Sequence, residues 1–226
     1  MNLLIVFKIA GRALARNTMR SALTMLGIII GVGAVIAMVA VGQGAKAQVE
    51  AQIASIGSNM LMVFPGSTTQ AGVRGGSGTM TTLTNDDALA IQRELSSVRL
   101  AAPSLRTVAQ VVSANQNWST SVTGSSPEYF VVRDWSFSAG GPFTPSDLKG
   151  AAKTAVLGKT VADNLFGSQD PIGQIIRIRN VPFKVIGLLS PKGQSAMGQD
   201  QDDTVIIPLS TLQKRIMGVT NIQTIL

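Results

Sequence analysis

The sequence predicts an α+β protein in which one N-terminal transmembrane helix is followed by an extracytoplasmic domain of short strands and helices. Three observations carry this. Ser21–Gly42, SALTMLGIIIGVGAVIAMVAVG, is 22 residues without a charge. Lys8, Arg12, Arg16 and Arg20 precede it, and no acid does. Beyond Gly42 the apolar runs are only about five residues long and are separated by Gly, Pro, Asn and Asp, so no second span follows and the pattern is that of short elements.

Ser21–Gly42 would be about 33 Å long as a helix at roughly 1.5 Å per residue, enough to cross a hydrocarbon core. A buried soluble helix of this length shows a polar face, and this stretch shows none. The basic flank places the N-terminus in the cytoplasm and the rest outside. A cleavable signal peptide is the competing reading, and Ala45-Lys46-Ala47 has the form of a cleavage site. The apolar stretch and the segment before it are both too long for one, so an uncleaved anchor is expected. Lys8, Arg12, Arg16 and Arg20 recur every four positions, covering an arc of about 120° on a helical wheel. Leu3, Val6, Phe7, Ala10, Ala13 and Leu14 take the opposite arc, with Asn17 the exception there. Residues 1–20 are thus expected to form an amphipathic helix on the cytoplasmic leaflet, against the plainer reading of a topogenic charge cluster. Gly27 and Gly31 form a G-x-x-x-G pair with Gly33 nearby, a weak signal for a helix-packing face.

Val49, Ile53 and Ile56 continue at helical spacing, so the span is expected to extend as a stalk that Gly57 ends. Residues 59–64 read as a short strand before Pro65-Gly66, and 67–80 as a flexible loop. Thr84 begins a T-x-x-D capping box with Asp87, and Ala88, Ile91 and Leu95 mark a helix face. Strands are expected at 98–102 and 108–114, around Pro103, and at 119–123, with a break at 124–127. A second block holds a strand at 154–157 and a helix at 159–166 closed by Gly167. A turn follows at 170–173, then a hairpin of 174–179 and 183–188 around Asn180-Val181-Pro182. A last strand is expected at 204–207, a helix from a Ser210 cap to Met217 ended by Gly218, and a strand beginning at 222.

Composition excludes much chemistry. The 226 residues contain no Cys and no His. That removes disulfides, thiol nucleophiles and imidazole catalysis. Net charge is +7, with 19 Lys+Arg against 12 Asp+Glu, but four of the cations lie before the span. The remaining surface is nearly balanced and lacks the basic, aromatic-laced face of a nucleic-acid binder. Gly72–Gly78, GVRGGSG, lacks the Walker A pattern, and no G-x-S-x-G elbow exists. Asp200, Asp202 and Asp203 have the wrong spacing for a calcium loop and read as a solvated turn. No catalytic, cofactor or metal residue is expected in this chain.

The order of motifs resembles one family, the MacB-type ABC transporter permeases. The matching stretches are Arg20–Gly44, Ser55–Gly66 (SIGSNMLMVFPG), Thr82-Leu83-Thr84 with Asp86-Asp87, Val156-Leu157-Gly158, Leu165-Phe166-Gly167 with Asp170-Pro171-Ile172-Gly173, Phe183–Gly187, and Ile207–Thr211 (IPLST). Gly140–Asp147 matches loosely, since a larger residue is common in the family at the place of Gly141.

The resemblance implies a periplasmic core of two lobes, a porter-like βαβ lobe and an inserted one. It implies the division 1–20 cytoplasmic helix, 21–42 transmembrane helix, 43–58 stalk, 59–134 porter-like lobe, 135–208 inserted lobe and 209–226 return to the first lobe. It further implies a bacterial inner-membrane permease acting as a homodimer with a separate ATP-binding cassette subunit, with ATP bound on that partner. Some relatives add a membrane-fusion adaptor and an outer-membrane channel. On this reading Lys8, Arg12, Arg16 and Arg20 form a coupling or membrane surface, Gly27, Gly31 and Gly33 pack helices, and the sequence stops inside the core domain as a fragment. The alternative is a membrane-anchored periplasmic binding or adaptor module without transport activity, although the heptads of a coiled-coil adaptor are missing.

Overall fold

The computed structural model describes residues 3–56, 60–67, 69–70, 73–74, 81–195 and 198–226. They form two units, 1–51 and 52–226.

In the first unit, α1 (Leu3–Arg16) is followed by α2 (Thr18–Ile56), a helix of 39 residues. The expected arc of four cations is therefore interrupted. Lys8, Arg12 and Arg16 lie on α1, whereas Arg20 belongs to α2, beyond a turn at Asn17. Asn and Thr side chains compete for backbone hydrogen bonds and weaken helix interiors, and Asn17-Thr18 is where the break falls. The Asn17 carbonyl nevertheless accepts the Ser21 N–H at 3.0 Å, so α2 starts directly. The stretch Thr18–Glu50 is long and apolar enough to cross a membrane, with its most apolar window unburied. The stalk expectation holds through Ile56, while Gly57 lies outside the described residues.

The second unit takes in the end of α2, and its first strands are an antiparallel pair, β1 (Thr69–Gln70) and β2 (Val73–Arg74), inside the segment expected to be a loop; residues 75–80 lie outside the description. Residues 60–64 do not form the expected strand. Only Val63 pairs, with Ile225, and Leu61, Met62 and Phe64 are exposed. Helix α3 (Asn85–Glu94) starts in the predicted capping box: the Thr84 hydroxyl accepts from Asp87 N–H at 3.4 Å, and the Asp87 carboxylate accepts from Thr84 N–H at 2.7 Å. Ala88 is buried and Ile91 packs on the core, but Leu95 is the exposed C-cap.

Residues 98–102 are not a strand. They lead into β3 (Pro103–Ser113), where Pro103 takes the first position, the one a strand tolerates because little ladder precedes it. β4 (Gln116–Ser125) runs through the expected break at Gly124, and α4 (Glu128–Val132) follows. Gly124 is required because a Cβ there would lie 2.7 Å from Leu212. Next come β5 (Phe137–Gly140), α5 (Pro145–Lys149), β6 (Thr154–Leu157) and α6 (Lys159–Phe166). β7 (Ile175–Ile178) and β8 (Val181–Leu189) form the predicted hairpin, but its turn is Arg179-Asn180, both with positive φ (45° and 68°). Two consecutive left-handed residues suit the strand twist, so Val181 and Pro182 pair within the ladder instead of looping out.

β9 (Thr204–Pro208) leads into a short helical turn, α7 (Leu209–Thr211), and a π-helix, Leu212–Met217, ended by Gly218 at φ 68°. Ser210 is not the cap. Pro208 holds that position, and the Ser210 hydroxyl donates to the Leu148 carbonyl. β10 (Thr224–Ile225) closes the chain on β3.

The strands make one eight-stranded sheet, order β10-β3-β4-β9-β6-β8-β5, while β7 pairs both β3 and β8. That last pairing closes a ring, β3-β4-β9-β6-β8-β7, a six-stranded barrel. β4–β9 and β6–β8 are parallel and the other four pairs antiparallel. The interior draws on every ring strand: Leu105, Val111, Val122, Leu157, Ile176, Phe183 and Ile207 belong to one buried cluster. On the other face of β6 and β9, Val156 and Ile206 join Phe130, Trp135, Phe143 and Leu189 in a second cluster. A register shift between Ala155 and Val156 on the β6–β8 ladder re-aims β8, so that Val185 faces the first cluster and Leu189 the second. The sheet runs without a break across the expected 134/135 lobe boundary.

Candidate functional site

The sequence points to the membrane end as the functional region, and the structure shows how α1 and α2 present it. Lys8, Arg12 and Arg16 follow one another at i, i+4 on α1, and all are exposed. Ile5, Val6 and Ile9 of the same helix are also exposed. The side chains of Leu3, Phe7, Ala13 and Leu14 lie outside the description. Arg20 is exposed in the first turn of α2, where its carbonyl accepts the Thr24 hydroxyl at 2.9 Å. On this helix Ile5 and Ile9 lie beside Lys8 and Arg12, and Val6 is turned away from them, so of the described branched aliphatics Val6 alone lies on the arc that would enter acyl chains with the cations in headgroups.

Gly27, Gly31 and Gly33 all lie within α2. A Cβ added at any of them would meet nothing within 4 Å. Gly27 and Gly31 lie one turn apart on one side of α2 and Gly33 on the other, and no described residue of the chain packs on any of them. Met25, Ile28, Ile29, Ile30, Val32 and Ile36 around them are exposed. The stalk portion carries an exposed i, i+4 pair, Lys46–Glu50, at 3.7 Å.

The acidic cluster of the core proves to be structural, which corrects the expectation of a solvated turn. Asp202 is buried, and its two carboxylate oxygens accept the Lys192 and Gly193 N–H groups at 2.8 Å each. Asp203 accepts from Trp118 Nε1 at 2.8 Å. Asp200 accepts from the Thr160 hydroxyl at 2.6 Å and from Asp202 N–H at 2.9 Å. A carboxylate holding two backbone N–H groups costs little to bury, since its charge is met by charge-assisted hydrogen bonds. The three acids thus clasp the segment between β8 and β9. Lys192 completes the clasp: its ammonium donates to the Arg133 carbonyl at 2.6 Å and lies 4.7 Å from the centre of the Trp135 ring. Burial, followed by the Arg133 charge, lowers the Lys192 pKa. Nothing in the local sequence announces this clasp, because apart from the Asp202–Asp200 bond its partners lie 9 residues or more away along the chain.

A shallow cleft lies beside the clasp, lined by Arg106, Val108, Ser119, Thr120, Ser121, Gln199, Asp200 and Asp203. Its carboxylates are engaged in the bonds just described. Among the described residues no group of three or more acids, His or Cys gathers as a metal site.

Residues 21–226 match the model of the MacB-like periplasmic core domain family. The macrolide export ATP-binding/permease protein MacB of Syntrophobacter fumaroxidans is 44% identical over 207 residues, 91% of this chain and 29% of that protein. The protein of the same name from Rhodospirillum rubrum is 43% identical over 212 residues, 93% of this chain and 32% of its own. The chain therefore spans about a third of the length of these relatives. Among solved structures, the periplasmic region of MacB from Actinobacillus actinomycetemcomitans superposes with a TM-score of 0.63 at 24% identity, covering 76% of this chain and 75% of that one. The extracellular domain of the transporter YknZ from Gram-positive bacteria gives 0.58 at 17% identity, covering 73% and 79%. These two likenesses are of fold. With the family model covering nearly all of the sequence and relatives of 44% and 43% identity matching over nine-tenths of it, the chain belongs to the MacB-like periplasmic core domain family.

Proposed function

We propose that this chain supplies the first transmembrane helix, the stalk and the core domain of a permease subunit. ATP hydrolysis on a separate ATP-binding cassette subunit is transmitted through them to the extracytoplasmic side. The observation that carries the reading is α2 itself. One helix of 39 residues runs from the basic flank through the apolar span into the polar stalk. A continuous helix transmits displacement along its axis because its backbone hydrogen bonds resist bending. In this reading the N-terminus is cytoplasmic, α1 lies on the inner leaflet, and Lys8, Arg12, Arg16 and Arg20 face lipid headgroups and the ATPase. Gly27, Gly31 and Gly33 receive a neighbouring helix of the homodimeric transporter. A membrane-fusion adaptor and an outer-membrane channel complete the export route. The relatives' name supports export of macrolides as the activity of the whole assembly.

Co-purification tests this. The full chain, produced with the cognate ATP-binding subunit, should retain it, and deletion of residues 1–20 should abolish retention. Retention that survives the deletion contradicts cytoplasmic coupling through α1. It would favour an anchored binding module whose partners are all extracytoplasmic.

A further inference from the structure

Helix α1 carries two branched aliphatics where a helix lying in a bilayer surface should carry none. At about 100° per residue, Lys8, Arg12 and Arg16 span an arc of roughly 80°, Ile5 falls between Arg12 and Arg16, and Ile9 lies about 20° beyond Arg16. Val6 and Ala10 lie about 100° or more from Ile5, toward the other side of the helix. Ile5, Lys8, Ile9 and Arg12 line one shallow groove on the helix surface. Ile5 and Ile9 are 56% and 63% exposed, so the stems of the neighbouring cations do not cover them. Lys8, Arg12 and Arg16 are exposed as well, and no Asp or Glu precedes Glu50 in the sequence. Among the described residues the ion pairs are Lys46–Glu50 and Lys159–Asp163, so the cations of α1 have none.

A bilayer alone does not account for this pattern. A helix in the interface turns its apolar arc to the acyl chains and its cations to headgroups and water. Ile5 sits among the cations, so it is held on the wet side, where an apolar side chain is costly to hydrate. A folded partner with an apolar groove removes that cost, and a lipid headgroup does not. Ile5, Lys8, Ile9 and Arg12 stand at i, i+3, i+4 and i+7, the positions by which a helix enters such a groove. We infer that this arc of α1 docks in a groove of the ATP-binding subunit. Ile5 and Ile9 are the anchors on an apolar floor, and Lys8, Arg12 and Arg16 face a carboxylate rim. Because the arc holds no acid, it complements an acidic rim and repels a basic one. The aliphatic anchors carry most of the affinity, and the cations supply steering and register. Val6 and Ala10 are left to the bilayer. This docking rests on the cytoplasmic placement of α1 proposed above and narrows it, since the decisive contacts come from two isoleucines and not from charge.

The test titrates the fluorescent cognate ATP-binding subunit against the full chain in phosphatidylcholine nanodiscs. A second probe, bimane on Ala10→Cys quenched by brominated lipid, reports whether α1 stays on the bilayer. I5A/I9A should bind the subunit at least about tenfold more weakly with quenching unchanged. Alanine favours helix, so loss of α1 does not explain that result. I5L/I9L should restore binding to within about threefold of the parent, because leucine keeps the apolar volume. K8Q/R12Q should bind about threefold or more weakly and lose most of the salt dependence. V6S should lower quenching and leave binding within about twofold. Parent-like binding by I5A/I9A, with binding abolished on deletion of residues 1–20, overturns the anchors and leaves coupling through α1 standing. Binding that survives the deletion removes that coupling and the anchors with it. Quenching lost in I5A/I9A while binding is kept would make the arc lipid-facing, which also overturns the proposal.

Discussion

The same residue type serves opposite solvents in the two units of this chain. Ile28, Ile29 and Ile30 of α2 are 65%, 67% and 62% exposed, whereas Ile176, Ile178, Ile206 and Ile207 of the barrel are fully buried. Glycine shows the same contrast. At Gly31 a Cβ would meet nothing, while at Gly158 it would lie 2.1 Å from the Asp202 carbonyl oxygen. The barrel satisfies its apolar side chains and close approaches internally. The helix carries apolar surface and small residues that no described residue of the chain meets. Apolar surface of this extent marks a helix built to meet lipid or another chain.

The contrast can be broken at several strengths. Ile207→Ala in the barrel interior should lower unfolding stability by about 4 kcal/mol, measured by denaturant titration of the core's tertiary signal. Ile29→Ala should leave that transition unmoved, and an equal effect of the two would erase the distinction between the units. Gly158→Ala should cost about 3 kcal/mol, because backbone on both sides of the clasp must shift. Gly31→Ala should leave the core transition in place. A smaller effect is expected at α5, where the Thr144 hydroxyl accepts Asp147 N–H and the Asp147 carboxylate accepts Thr144 N–H at 2.7 Å. Thr144→Ala should cost about 1 kcal/mol at neutral pH. The Thr144 hydroxyl, then its backbone N–H, lowers the Asp147 pKa below its ordinary value. The contribution of this box is therefore present above the unfolded carboxyl's pKa of about 4 and is lost as pH falls through the lower folded value. Thr144→Ala should flatten the acid end of the stability–pH profile, and a profile identical to the parent would contradict the assignment.

What sequence reasoning reached and what it missed divide along physical lines. α2 was legible because a long uncharged run has one solution in lipid. The capping box at Thr84, the hairpin of β7 and β8, and α6 with its Gly167 stop were legible because each is decided within a few residues. The barrel was not, because its closure rests on the β3–β7 pairing, where Val111 meets Ile178 from far along the chain. Asp202 looked solvated because its burial depends on the Lys192 and Gly193 amides, which local spacing does not reveal. Residues 98–102 carry a strand-like composition but pair only at Ala102, whose N–H and carbonyl bond Leu226, and 60–64 carry one whose single pairing is Val63 with Ile225. At the membrane end the four-residue period of the cations conceals the break at Asn17, which leaves Arg20 on a different helix from Lys8, Arg12 and Arg16.

The central claim is that α2 crosses the membrane with α1 inside the cell and the barrel outside. The absence of cysteine makes single introduced thiols unambiguous reporters. Gly11→Cys on α1 and Ser138→Cys on β5, both at exposed positions, should be probed in intact cells with a maleimide that cannot cross the inner membrane. The account predicts that Ser138→Cys is labelled at once and Gly11→Cys only after the inner membrane is permeabilised. Labelling of Gly11→Cys in intact cells, or protection of Ser138→Cys, would contradict it.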